Sequence, residues 1–229
     1  MGYVKEDFEN LKYKFLKAES IENNYSQAFQ DMFVLSMLDG KRNGFYVEVG
    51  GDHPSTINNT YLLETEFDWK GISFEIREES VNFYNESRKN KCLCADATKV
   101  DYSKVFEENN FPNQIDYLQL DIEPAHQTLA ALKQLDLKKY RFSAITFETD
   151  AYMGNSNVID ESRSILFDSG YELIASNVCN QGNPFEDWYV DPSVIPEERW
   201  KLFKNNFVEG KEVILKWVGH YKRKHHALI

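Results

Sequence analysis

No apolar run in this chain of 229 residues approaches the roughly 20 residues that a membrane-crossing helix needs, so no membrane span is expected. The first residues, MGYVKEDFENLKYKF, are charged throughout and have no apolar signal core. Met1-Gly2 is followed by Glu6 where a myristoylation signal puts a hydroxyl residue. Cysteine is scarce. Cys92 and Cys94 share one apparent strand and Cys179 is distant, which fits the reduced thiols of a cytoplasmic protein. A C-x-C with no second cysteine pair is a poor zinc site. Clustered basic residues are also lacking. The net charge is −11, and the one basic cluster is Lys222-Arg223-Lys224-His225-His226. That balance argues against a nucleic-acid partner, because phosphate binding draws on grouped Lys and Arg. No Pro-, Gly- or Ser-rich linker and no internal repeat divides the chain.

What is present suits one large α/β domain with a substantial core. Phe8, Leu11, Phe15 and Leu16 follow helical spacing, so residues 5–18 read as an amphipathic helix. Ser26 stands as an N-cap for a second helix with Phe29, Phe33 and Met37 on one face, ended by Gly40. Residues 1–40 are therefore expected to be an N-terminal helical extension. Residues 41–229 read as a single domain. Strands are expected at 45–49, 71–76, 91–95, 115–121, 142–148, 171–176 and 186–190. Between them fall helices over 57–66 and 79–89, a short one capped by Ser103, one opened by Pro124 and one capped by Asp160. The Gln181-Gly182-Asn183-Pro184 turn joins the last two strands. Pro196 opens a helix carrying Trp200, Phe203 and Phe207, and KEVILKWVG reads as a strand or an apolar tail. Five β–α alternations followed by two turn-linked strands specify a mostly parallel open sheet with an antiparallel end.

The site candidates lie just after the strands, where ligands bind in such a sheet. Glu48 in FYVEVGG and Glu75 in GISFEIR each end an apolar strand, one βαβ unit apart. Gly50-Gly51 lets a ligand approach the backbone closely, or simply makes a turn. Glu75 is placed to accept both hydroxyls of a ribose. Asp52-His53-Pro54 stands where a three-glycine dinucleotide pattern would continue, which counts against a nicotinamide oxidoreductase. Asp96 follows the third strand, where a carboxylate accepts an adenine amine while a neighbouring N–H reaches a ring nitrogen, or else caps a helix. Asp121 and Glu123 end the fourth strand, and Glu148 and Asp150 the fifth. Strands about 4.8 Å apart crowd these four acids onto one rim, so a cation is expected there: a sulfonium, a divalent metal, or Lys and Arg. His126 and His53 flank the rim as candidate bases, with hydrogen-bonded structural histidines as the alternative. Tyr152, Trp188 and Tyr189 are candidates to stack on a sugar face, or core residues.

Taken together, YSQAFQD, NGFYVEVGGDHPSTINNTYLLE, WKGISFE, IDYLQLDIEPAH, GYELI and FEDWYV, over roughly residues 25–190, resemble the FkbM family of S-adenosylmethionine-dependent methyltransferases. The resemblance implies a class I, Rossmann-like methyltransferase fold with a seven-stranded sheet and helices on both faces. It implies that Glu48, Gly50 and Gly51 line the methionine part of the cofactor, that Glu75 holds the ribose, and that Asp96 and Ala97 face the adenine. Asp121 and Glu123 would lie beside the methyl group, with Gln27, Asn59 and Thr60 near the same pocket. Pro124 replaces a family glycine, which removes an N–H and fixes φ, and His126 replaces a glutamate. Gly51 stands where many members have alanine.

The expected reaction is transfer of a methyl group to a hydroxyl on a sugar or glycoconjugate. His126 is the first candidate base and His53 the second, Asp121 is a further catalytic candidate, and Asp121, Glu123 and Glu148 are candidate ligands for magnesium or calcium. A protein that binds the cofactor without turnover, acting as an assembly partner, is the rival reading. A homo-oligomer is left open.

Overall fold

From Phe45 onward, the sequence alternates because one sheet is buried on both faces. In β1 (Phe45–Val49), Tyr46 enters the core on one face, while Val47 and Val49 enter the core on the other. Tyr117 and Leu118 divide in the same way on β4 (Gln114–Leu120), and Ala144 and Ile145 on β5 (Arg141–Glu148). Near-continuous apolar strands of this kind belong in parallel sheets covered on both sides. The computed structural model describes Phe15 and residues 18–215. The expected helix over 5–18 lies largely outside those residues, and the basic cluster 222–226 lies wholly outside them.

The order along the chain is α1 (Gln30–Met37), β1, α2 (Tyr61–Phe67), β2 (Lys70–Glu75), α3 (Glu78–Ser87), β3 (Lys91–Cys94), α4 (Tyr102–Glu108), β4, α5 (Ala125–Leu132), β5, α6 (Ser156–Asp168), β6 (Glu172–Asn180), β7 (Asn183–Val190), α7 (Glu197–Trp200), β8 (Asn205–Asn206) and α8 (Gly210–Leu215). The sheet runs β3-β2-β1-β4-β5-β7-β6-β8. β7 is antiparallel to both β5 and β6, and the remaining pairings are parallel. This is the class I methyltransferase sheet with one addition. The two-residue β8 beside β6 makes eight strands where seven were expected.

Several boundaries differ from the sequence reading for local reasons. α1 starts at Gln30, not after Ser26. The Asp31 carboxylate accepts from Tyr25 N (2.9 Å), Ser26 N (3.4 Å) and Ser26 Oγ (2.7 Å), which holds 25–29 in a turn. All eight residues of α1 are buried, and its apolar ones share one core with Tyr46, Tyr117 and Trp188. Asp101 caps α4 instead of Ser103, accepting from Lys104 N at 3.0 Å. Asp160 lies inside α6, which begins four residues earlier. After Pro196 the helix lasts one turn and tightens into a 3₁₀ turn over Lys201–Phe203, leaving Phe207 exposed. The apolar segment after Gly210 is helical, and Val213 and Ile214 are fully buried against the α1 face.

Candidate functional site

Strand order reverses between β1 and β4, so the crevice beyond their carboxyl ends is where a ligand is expected. Glu48 stands in register with Ser73 on β2 and Gln119 on β4. Just beyond, Gly50 has φ +95°, and a Cβ there would lie 1.8 Å from the Asp121 carbonyl oxygen. Only glycine fits, because the backbone after β1 is pressed against the end of β4. Both Gly50 N and Gly51 N donate to Phe74 O, at 2.9 and 3.1 Å. Gly51 is different: a Cβ there meets Cys92 Sγ at 3.4 Å, an ordinary contact, so the alanine of the resembled family would fit.

Around this point opens a cavity of about 820 Å³, within the range of small-molecule sites. The structure brings together Gln27, Glu48, Gly50, Gly51, Asn59, Glu75, Asp96, Ala97, Asp121, Glu123 and Glu148 along its walls, with Asp150 and Tyr152. Thr60 is one step behind the wall. Fully buried, it donates from Oγ1 to Glu48 Oε1 at 2.9 Å.

Glu48 is the buried centre of the floor. Its carboxylate also accepts from Ser73 Oγ (2.6 Å) and Tyr84 Oη (2.9 Å). Burial pushes its carboxyl above the ordinary range, against the pull of Arg88 and these hydroxyls. Glu75 is nearly buried too, but with the opposite result. Burial is outweighed by hydrogen bonds from Arg77 Nε (3.1 Å), Arg77 N (2.8 Å) and Asp52 N (3.2 Å), so its carboxyl is held below the usual range. Arg77 also pairs with Asp52, which ties the loops after β1 and β2 across the cavity mouth. Asp96 is pulled down to about 2 by Lys99 and Thr98, and it does cap the 3₁₀ turn Ala97–Lys99 through Thr98 N at 3.1 Å.

The acidic rim is present, with Asp121, Glu123, Glu148 and Asp150 all on the cavity wall. Burial pushes the Glu148 carboxyl up to about 11, reinforced by the charge of Asp121 and a hydrogen bond with it. Burial also raises Asp121, and the bond from Glu148 works the other way. Glu148 thus keeps a proton and donates it to Asp121, a shared-proton pair of carboxyls. Below them Glu186, in register with Glu148, is raised to about 8 by burial and accepts from Trp188 Nε1. Among the described residues no three His, Cys, Asp or Glu side chains converge as a metal-holding group. The expected ligand set Asp121, Glu123 and Glu148 is thus not gathered into such a group, and Glu123 is exposed.

Neither candidate histidine reaches the cavity. His126 is exposed on the first turn of α5, and its neighbour Gln127 lines the cavity in its place. His53 caps a turn. Its Nδ1 accepts from Thr56 N (2.9 Å) and Ser55 N (3.2 Å), and its ring packs edge-on against Phe83. Trp188 and Tyr189 are fully buried, Trp188 stacking on Phe33 at 4.7 Å, so of the three aromatics only Tyr152 is at the mouth.

Sequence reasoning missed Gln119 and Arg77. Gln119 carried a signal: it is a polar residue near the carboxyl end of β4, in register with Glu48. Its Oε1 has no hydrogen-bond partner, and neither do Asn59 Oδ1 and Glu148 Oε2. Three cavity-wall side chains thus hold unmet acceptor oxygens, the reverse of the usual satisfaction of buried polar groups.

No family model and no curated protein matches the chain. Among solved structures, it is similar to an O-methyltransferase from Bacillus cereus in complex with S-adenosylhomocysteine, at 14% identity, over 71% of this chain and 79% of that one, with a TM-score of 0.51. It is also similar to an rRNA methylase from Streptococcus thermophilus (12% identity, 70% and 94% coverage, TM-score 0.47) and to the N-methyltransferase NodS from Bradyrhizobium japonicum (11%, 71% and 94%, 0.47). The first likeness shows a shared class I methyltransferase fold.

Proposed function

We propose that this protein is an S-adenosylmethionine-dependent methyltransferase acting on a hydroxyl of a sugar or glycoconjugate, as its resemblance to the FkbM family implies. The observation that carries the reading is the cradle at Gly50. Backbone without a side chain meets the end of β4 there, in a cavity whose walls also hold the unpartnered acceptors of Asn59, Gln119 and Glu148. Unmet oxygens suit a ligand bearing an ammonium or other N–H donors. Glu75 sits one βαβ unit on, where an acid receives a ribose. Asp96 and Ala97 lie on the adenine side. The B. cereus protein of the same fold is an O-methyltransferase that holds S-adenosylhomocysteine.

Bound S-adenosylmethionine supplies a methyl group already activated on a sulfonium. The chain's part is to position the acceptor and remove its proton. Asp121, raised by burial, is the base at the end of β4, in place of the two histidines. Glu148 holds a proton against Asp121 and limits the charge of the rim in the free protein. Gln127, Asp150 and Tyr152 supply hydrogen-bonding groups and one aromatic face at the mouth, which suits a hydroxyl-rich acceptor.

Calorimetric titration with S-adenosylhomocysteine tests the cofactor site. Micromolar binding that is lost in Glu75→Ala supports it, and no binding by the wild type sinks it. The outward-facing histidines favour one second reading, cofactor binding without turnover. Tight S-adenosylhomocysteine binding with no labelled methyl transferred to any of a panel of neutral glycans is its expected signature.

A further inference from the structure

We infer that a second groove beside the cavity is a binding site for the sugar units adjoining the one presented to the cavity, so that the acceptor is a neutral oligosaccharide and not a free monosaccharide. This rests on the methyltransferase reading above. The groove, of about 450 Å³, shares Gln27, Ile57 and Asn180 with the cavity, so the two form one continuous depression.

Its lining is chemically distinct. Among the described residues no charged side chain faces it; the walls are amides, hydroxyls and the single aliphatic Ile57. In a chain with 28% charged residues, such a surface selects against phosphates, carboxylates and ammonium groups. Amide and hydroxyl side chains both donate and accept, as every sugar hydroxyl does. Asn24, at the floor, is 2% exposed and its Oδ1 has no partner.

The groove is also built in advance. On one side Asp31 fixes the Tyr25–Ser26 backbone, and Tyr25 O accepts from Asn58 N at 3.0 Å. On the other, Glu209 accepts from Gln181 N (3.2 Å) and Gly182 N (2.7 Å), which clamps the β6–β7 turn. Rigid walls lower the ordering cost of binding a flexible ligand. Between groove and cavity stands Ile57, 65% exposed and at φ +54°. A β-branched residue rarely adopts that conformation, and such strain collects at ligand-binding positions. It offers an apolar ridge against which the C–H face of a sugar can pack.

The test titrates wild-type protein, with and without saturating S-adenosylhomocysteine, with the methyl glycosides of glucose, galactose and mannose, with maltose, lactose and mannobiose, and with a single-stranded RNA oligonucleotide. At least one disaccharide is expected to bind at least about tenfold more tightly than its own monosaccharide units. Thr56→Trp, which fills the groove at a residue lining only the groove, should abolish that preference while leaving S-adenosylhomocysteine affinity unchanged. Asn24→Ala should weaken it without a bulky insertion. Equal affinities for mono- and disaccharides in protein that binds S-adenosylhomocysteine overturn the groove and leave the cofactor reading standing. Preference for RNA, or a preference that survives Thr56→Trp, also overturns it. A disaccharide preference in protein that binds no S-adenosylhomocysteine keeps the groove and removes the methyltransferase reading.

Discussion

Replacing Glu148 by glutamine should remove a pH dependence that the free protein carries in its stability. Glu148 is 8% exposed and its carboxyl is pushed up to about 11, first by burial and then by Asp121. In the unfolded chain a glutamate titrates near ~4.3. Between those values the folded protein holds a proton that the unfolded chain has released. The contribution is therefore fully present below the unfolded pKa and is lost as pH rises toward the folded one. The limiting slope is ~1.4 kcal/mol per pH unit, or up to ~4 kcal/mol between pH 6 and 9. The pair borders a cavity open to water, so about half of that, ~2 kcal/mol, is the working expectation.

The amide of Glu148→Gln keeps the shape and still donates to Asp121, but it does not titrate. Urea unfolding at pH 6, 7, 8 and 9, extrapolated linearly to water, measures the difference. The wild type should lose stability relative to the variant steadily with pH, and the variant should be the more stable protein at pH 9. Curves that stay parallel within ~0.5 kcal/mol, the ordinary spread of neutral substitutions, would refute the shared-proton pair. Glu186, raised to about 8, is common to both proteins, so the comparison isolates Glu148.

The remaining predictions concern single contacts. Gly50→Ala should destabilise by ~2–4 kcal/mol, through overlap with the Asp121 carbonyl and a positive φ, whereas Gly51→Ala should stay within ~0.5 kcal/mol; thermal melts of the two variants decide. Arg88→Met should cost ~3–5 kcal/mol, because it strips the buried partner of Glu64, 2.8 Å away, and the donors to Pro54 O and Thr60 Oγ1. A urea midpoint within error of wild type would show that this network contributes nothing. Arg77→Ala should tighten S-adenosylhomocysteine binding by up to ~5-fold: the Arg77 side chain holds Glu75 in the free protein, and a pair this exposed is worth at most ~1 kcal/mol. Weaker calorimetric binding in the variant would mean that Arg77 touches the ligand itself.

The sheet was legible because short, near-continuous apolar runs alternate with helical segments along the chain. Glu75, Asp96, Asp121 and Glu148 each end or follow a strand, Glu48 stands one residue before the end of β1, and all five line the cavity. Boundaries set by side-chain contacts were not legible, nor were pairings between segments distant in sequence. The Asp31 carboxylate delays α1, and β8 exists because Asn205 and Asn206 meet Ala175 and Ser176 some thirty residues earlier. Gln119 is one of several polar residues in its strand, and its lack of a partner depends on what β1 and β5 place around it.

The histidines mark the sharpest limit of that legibility. Strand parity is fixed along the whole of β4, so Asp121 can be assigned to the crevice from its place at the strand end. Helix phase is fixed only where the helix begins, and each residue turns the next by about 100°. The turn after β4 ends at Pro124, whose β-region backbone (φ −79°, ψ 160°) starts α5 at Ala125. That start leaves His126 exposed and sets Gln127 on the cavity wall. One residue more or less in the turn would exchange their places. A base at this site is therefore better sought among groups carried by strand ends, where Asp121 and Glu148 share a proton, than on the helix that follows.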